Sequence, residues 1–389
     1  MGICIGAGLS THPDPRVGAI EAASAARAGL GGAHGPDLAV VFLTGSHLAA
    51  PEAALEGVHE TLAPDALVGC GTAGVLAAGR EVEDGAAIVV WAASLEGEGR
   101  LTAFHARAEP TDDGFAISGF PDLDGASAAI LMPDPFTFPT EAVLASAHER
   151  RRAMPLIGGL ASARTAEGAS ALFHGEEVVD GGAVGVLAHG VEVLPCVSQG
   201  AAPIGPEMTV TAAEGNVIHE LAGKPALRAL REVLSNLDHE ERAMIAGGLL
   251  MGLVVGGQRP HYERGDFLVR GLVGADPESG TVAVGAPVHE GQVVRIHARD
   301  ADSADRDLRE ALELRLAALG GARPAGALAF TCNGRGRGMF GCDNHDAQAL
   351  DEVFRGAPVA GFFAAGEIGP VGGESFVHGF TATIAVFVP

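Results

Sequence analysis

The chain's most chemically capable residues gather near its end. Cys332, Asn333, Arg335 and Arg337 lie in the glycine-alternating stretch Thr331-Cys332-Asn333-Gly334-Arg335-Gly336-Arg337-Gly338, directly after the apolar run 327–330. Glu367 follows Gly366 just beyond a second apolar run, 358–364, and His378 opens a third, 378–388. Glycines at strand ends let backbone come close to a ligand. Each polar residue has two readings. A guanidinium presents a planar fork to a carboxylate or phosphate, or it ties its own loop down through carbonyls or an acid. Glu367 receives an amino group or pairs with an arginine. Asn333 bonds a ligand or turns the loop. His378 lines a polar pocket or bonds backbone at a strand end.

Cys332 also admits an enzymatic reading, as a thiol nucleophile with His345 or His378 as its base. Neighbouring arginines would supply the electropositive setting such a thiol needs. No local cysteine-hydrolase signature accompanies it, and buried cysteines usually serve as small apolar groups. Cys332 and Cys342 flank the arginine loop, but their spacing with Asp343 and His345 is not that of a structural zinc site, so no metal is expected. The loop lacks the Gly-Lys-Ser/Thr of a phosphate-binding loop and the spacing of a dinucleotide fingerprint, so no cofactor is expected either.

The elements that must position these residues recur three times, as strand, helix, strand opening on Gly, loop and strand. The copies are 38–43, 51–62, 66–71 and 86–92; then 128–132, 138–152, 155–160 and 183–188; then 327–331, 344–354, 358–364 and 381–387. Phe42 to Gly69 and Leu131 to Gly158 span equal lengths, and the third copy is longer by the arginine loop. Pro51 and Pro139 mark helix starts, and Asp343 or Asn344 caps the third helix. Short, continuously apolar strands imply sheets covered on both faces. Thr44-Gly45-Ser46-His47 and Ser162-Ala163-Arg164 end strands in the first two copies, where they line a second site or cap helices. Between copies two and three the pattern changes. Strands are expected at 208–213, 216–221, 246–255, 267–273 and 292–297. Helices are expected at 224–234, with Leu227, Leu230 and Leu234 on one face, and at 300–319.

The fold class expected is therefore α/β, with α+β possible, in two domains built from repeated strand–helix–strand–strand units with mixed sheets. The division is 1–36 as an N-terminal segment, 37–225 and 226–389. A net charge of −24 argues against nucleic-acid and anionic-membrane partners. No apolar run reaches the roughly 20 residues of a membrane span, and no signal peptide is read at the N-terminus. Five scattered cysteines fit a reducing cytoplasm better than a disulfide framework.

Several segments together resemble the FIST family, with its N-terminal and C-terminal FIST domains. They are Val68-Gly69-Cys70-Gly71-Thr72-Ala73-Gly74, Ile157-Gly158-Gly159-Leu160-Ala161 and Val210-Thr211 through Val217 to Gly223-Lys224-Pro225-Ala226. To these are added Phe330-Thr331-Cys332-Asn333-Gly334-Arg335-Gly336, Gly361 through Gly366-Glu367-Ile368, and His378 with Thr381. Ala222 stands where the family usually has an acid. The resemblance implies a bacterial signal-transduction protein that senses a small, amino-acid-like or carboxylate ligand. With no fused output module expected, the signal passes to a separate protein partner or through a homo-oligomer. A protein–protein interaction module is the remaining alternative.

Overall fold

The computed structural model describes residues 2–31, 35–112, 114–152, 154–163, 171–245, 248–256, 259, 261–262 and 264–389. The expected roles of Arg164 and of residues 246–247 lie outside these. The chain forms two compact units: residues 1–197 with 309–389, and residues 198–308. This spatial division differs from the linear one at residue 225.

The first unit holds all three repeats. Repeat 1 comprises the first strand Leu38–Thr44, the helix Pro51–Leu62, the second strand Leu67–Gly71 and the closing strand Ala87–Glu96. Repeat 2 uses Ala128–Pro133, Thr140–Arg150, Leu156–Gly159 and Ala183–His189. Repeat 3 uses Gly326–Cys332, His345–Val353, Val359–Ala364 and Ala382–Phe387. In each, the first and second strands pair in parallel, which requires the helical crossover between them. The closing strand pairs antiparallel on the other side of the first. The α/β class with mixed sheets is therefore observed.

The expected loop between second and closing strands is a β-hairpin, and it does not pair within its own repeat. The repeat 1 hairpin (Val75–Ala77 and Arg80–Val82) extends the second strand of repeat 3. The repeat 3 hairpin (Glu367–Val371 and Glu374–His378) extends that of repeat 2. The repeat 2 hairpin (Ala171–His174 and Glu177–Asp180) extends that of repeat 1. The exchange is cyclic. The sheets of repeats 1 and 3 each gain one more strand on the far side, Gly2–Ser10 and Val193–Ser198, and that of repeat 2 gains two, Arg100–Thr111 and Gly114–Ser118. The N-terminal segment thus supplies a sheet strand, followed by the helix Pro15–Arg27, capped by Asp14.

The recurring glycine has a steric cause. A Cβ on Gly69 or Gly158 would stand 1.9 Å from the carbonyl oxygen of Val41 or Leu131, and one on Gly361 would stand 1.8 Å from that of Ala329. Only glycine tolerates so close an approach at these parallel pairs. The register also makes Val41, rather than Phe42, the counterpart of Leu131.

Alternation along each strand divides two hydrophobic layers. Val40, Phe42, Ile130, Met132, Leu328 and Phe330 enter one core shared by all three repeats. Phe42 and Phe330 both meet Phe362, with ring centroids 4.9 and 5.5 Å away, and Trp91 meets Phe387 at 5.0 Å. Ala39, Val41 and Leu43 face Ala54, Leu55 and Val58 of the repeat 1 helix. Burying each such large side chain stabilises by about 2–3 kcal/mol.

The second unit carries an antiparallel sheet that includes Ala202–Glu214, Val217–Leu221, Leu249–Val254, Phe267–Asp276, Thr281–Val284 and Val293–Ala298. Its helix Ala226–Asn236 buries Ala226, Ala229 and Leu230, while Leu227 and Leu234 are half-buried. Among the described residues, no helix is long and apolar enough to cross a membrane.

Candidate functional site

The hairpin exchange assembles the repeat 3 strand mouth from two repeats. After Cys332 the chain turns through Asn333 and Gly334, then forms a short helix, Arg337–Phe340. The repeat 1 hairpin and the residue directly after it hold this loop. Glu83 Oε1 accepts the Arg337 N–H at 2.8 Å, capping the short helix with negative charge. Gly336 is left-handed at φ 79°, and a Cβ there would stand 2.6 Å from the Glu83 carboxylate. Glu81 Oε1 accepts from Ala347 N at 2.9 Å, while Asn344 Oδ1 accepts from Glu81 N at 2.7 Å.

Behind the loop lies a buried ion pair. Arg335 donates from Nε and Nη2 to the two oxygens of Asp346, at 2.7 and 2.9 Å. Thr331 donates its hydroxyl to Asp346 Oδ2, and His345 Nδ1 donates to Oδ1 at 2.8 Å. The Phe340 ring stacks on His345 with centroids 3.4 Å apart, and the Arg335 guanidinium lies 5.1 Å from the Phe340 centroid. Burial alone would raise the Asp346 carboxyl, but the charge and hydrogen bonds of Arg335 hold it well below the usual carboxylate range. Glu81 is moved the opposite way, to about 7, by burial and by the nearby charge of Asp346.

In front of the ion pair sits Glu367, 0 % exposed. Its Oε2 accepts from Thr381 N at 3.0 Å and from Thr381 Oγ1 at 2.8 Å. Its Oε1 is buried and, among the described residues, takes no N–H or O–H donor, with only the weak thiol donor of Cys332 beside the carboxyl. Burial pushes this carboxyl up to about 8 against the opposing bonds from Thr381 and Cys332, and so favours its protonated form. By register, Glu367 stands where the other hairpins carry Val75 and Leu172. A carboxyl replaces an aliphatic side chain at one of three equivalent positions.

Of the sequence-predicted residues, Cys332, Arg335, Glu367 and His378 are buried at this mouth, and Asn333 and Arg337 are exposed. Cys332 meets Glu367, and burial followed by that carboxyl's charge pushes its thiol up to about 12. A nucleophile must be a thiolate, so the setting opposes attack. The two histidines are also committed, His345 to Asp346 and His378 Nε2 to the Gly369 carbonyl at 2.8 Å. Arg335 turns its fork toward Asp346. Arg337 reaches Asp84 at 2.9 Å and Asp343 at 3.6 Å, both across the surface. Cys342 is exposed. In repeat 1, Thr44 donates its hydroxyl to the Ala73 carbonyl at 3.1 Å. Ser162 of repeat 2 receives Ala73 N at 2.8 Å and donates to the Phe363 carbonyl, so one hydroxyl ties the three repeats together.

Sequence reading missed Asp346, Glu81, Thr331 and Phe380. Asp346 carried a signal: an acid in the first turn of a helix that follows an arginine loop. Phe380 carried none. Its backbone is left-handed at φ 67°, the residue is 40 % exposed, and a Cβ on Gly334 would meet its ring at 2.7 Å.

Comparison with known proteins locates the same regions. The family model described as FIST N domain matches residues 37–224, and the one described as FIST C domain matches residues 226–370. The chain is 42 % identical over 386 residues to the uncharacterized protein Mb0898c of Mycobacterium bovis, covering 99 % of this chain and 98 % of that one. It is 42 % identical over 385 residues to the uncharacterized protein Rv0628c of Mycobacterium tuberculosis, covering 99 % of each.

Proposed function

The chain belongs to the FIST family, whose domains are associated with signal transduction and sensing, and from that premise we propose that it senses a small amino-acid-like or carboxylate ligand at the repeat 3 strand mouth. One observation carries this reading: Glu367 Oε1, fully buried and, among the described residues, met by no N–H or O–H donor. A buried polar atom left unpaired costs about 1–3 kcal/mol, and a ligand donor would remove that cost. The ligand's amino group takes this oxygen, beside Cys332 and Thr381. Its carboxylate lies outward, toward Asn333 and Arg337, where the Arg337 side chain pairs with the exposed acids Asp84 and Asp343 and can exchange them. Arg335 acts from behind by fixing the loop, and His378 by fixing its strand to Gly369. The Phe380 ring over Gly334 covers the mouth and swings aside to admit the ligand. The protein works in the cytoplasm and passes its signal to a separate protein partner or through a homo-oligomer.

The test is a thermal-shift and calorimetric screen of amino acids and small carboxylates, since a ligand selective for the native state raises its stability. Amino acids are expected to stabilise the protein, with Glu367→Gln abolishing the response and Arg337→Gln weakening it about tenfold. Because Glu367 must lose its proton to meet an ammonium group, affinity rises as pH goes from 6 to 8. A flat screen, or an unchanged response in Glu367→Gln, refutes the assignment.

A further inference from the structure

A cavity lies beside the sheet of repeat 2, apart from the repeat 3 mouth. The strand Gly114–Ser118 is that sheet's edge and is exposed along its whole length. Its pairing with Arg100–Thr111 sets Ile117 opposite Ala108 and Phe115 opposite Pro110, so these side chains share one apolar face. Phe115 is 55 % exposed. Between this face and the repeat 2 helix runs a groove of about 510 Å³. Phe115, Ile117 and Phe120 form one wall, and Ala142, Val143 and Ser146 form the other. The helix positions recur three and four apart and so make one face. Arg150 completes that face one turn beyond Ser146, about 12 Å along the axis from Ala142.

The groove is thus graded from an apolar end to a cationic one. Arg150 begins the run Arg150-Arg151-Arg152 in a chain with 49 acidic and 25 basic residues. Arg151 is engaged by the Ala126 carbonyl at 3.0 Å and by Asp124 at 3.9 Å. Arg150 and Arg152 are both exposed. The full charge of Arg150 outweighs the partial negative charge at this helix C-terminus. Size, apolar walls and a single charged end are the marks of a site for an amphipathic small molecule.

We infer that this groove binds a monocarboxylate with a medium-length apolar tail, the tail against Phe115, Ile117 and Ala142 and the carboxylate at Arg150. The test is isothermal titration of the full chain with decanoate, decanol and decylamine. Decanoate is expected to bind best and decylamine worst. Arg150→Gln combined with Arg152→Gln should weaken decanoate about tenfold and leave decanol unchanged. Ala142→Trp, at an exposed helix position, should fill the groove and abolish binding of decanoate and decanol alike. The inference is overturned if decanoate does not bind, if decanoate and decylamine bind equally, or if Ala142→Trp leaves binding intact. It is also overturned if light scattering shows a dimer that Phe115→Ser converts to monomer, because a second copy would then be the occupant.

Discussion

Glu367→Gln is the sharpest probe of the repeat 3 mouth. The amide oxygen keeps both bonds from Thr381, and the amide nitrogen stands where the protonated acid has its hydroxyl. Volume and fold are preserved while the ionisable proton is removed. In the native protein this carboxyl is raised from 4.5 to about 8, so between those values the folded state holds a proton that the unfolded state has released. Its contribution is complete below pH 4.5 and is lost as pH rises toward 8. One proton changes stability by about 1.4 kcal/mol per pH unit, so from pH 5 to 8 the loss is on the order of 4 kcal/mol. The assay is chemical denaturation at pH 5, 6, 7 and 8, followed by the fluorescence of Trp91. That residue is the chain's single tryptophan and is buried in the core shared by the repeats, so it reports the unit containing Glu367. Wild-type stability should fall across this range by one proton's slope more than that of Glu367→Gln. Parallel curves would show that the carboxyl titrates as it does in water, and the reasoning from burial would fail.

Three further outcomes are expected. Arg335→Ala leaves the Asp346 carboxylate buried without its main partner and should cost about 3–5 kcal/mol, with Arg335→Ala/Asp346→Ala recovering part of the loss; equal effects would deny the coupling. Gly361→Ala forces a methyl group onto the Ala329 carbonyl and should destabilise by on the order of 3 kcal/mol, whereas Gly338→Ala, which meets nothing within 4 Å, should change little; similar melting temperatures would contradict the packing argument. Iodoacetamide at pH 8 should label exposed Cys342 quickly and Cys332 only on unfolding; peptide mass spectrometry showing equal rates would reverse the account of the buried thiol.

Local order was legible in the sequence, and long-range pairing was not. The repeat strands and helices fall near their expected positions because apolar runs, prolines at helix starts and glycine stops are local signals. The recurring Gly69, Gly158 and Gly361 were visible as a pattern, and their cause emerged only with the carbonyls opposite them. The hairpins were read as loops because each is short and its partner lies in another repeat. The strand Gly2–Ser10 was missed because it is rich in glycine and small residues and buries only part of its length. At the mouth, residue types pointed to Cys332, Arg335 and Glu367. Asp346, an acid in the first turn of the next helix, was a legible partner for Arg335, but nothing local indicated that Glu81 and Glu83 would arrive from repeat 1.

The cyclic exchange of hairpins also bears on how such a chain can originate. A lone repeat made as a separate peptide would leave its own second strand unpaired and its hairpin without a sheet to join. Two copies could satisfy only one of these needs each, whereas three copies satisfy all of them and leave no vacancy. The arrangement is that of a domain-swapped homotrimer whose subunits have been joined head to tail, with residues 198–308 inserted into one of the joints. Three copies in one chain need not be identical, and Glu367, Arg335 and Asp346 distinguish the third from the other two.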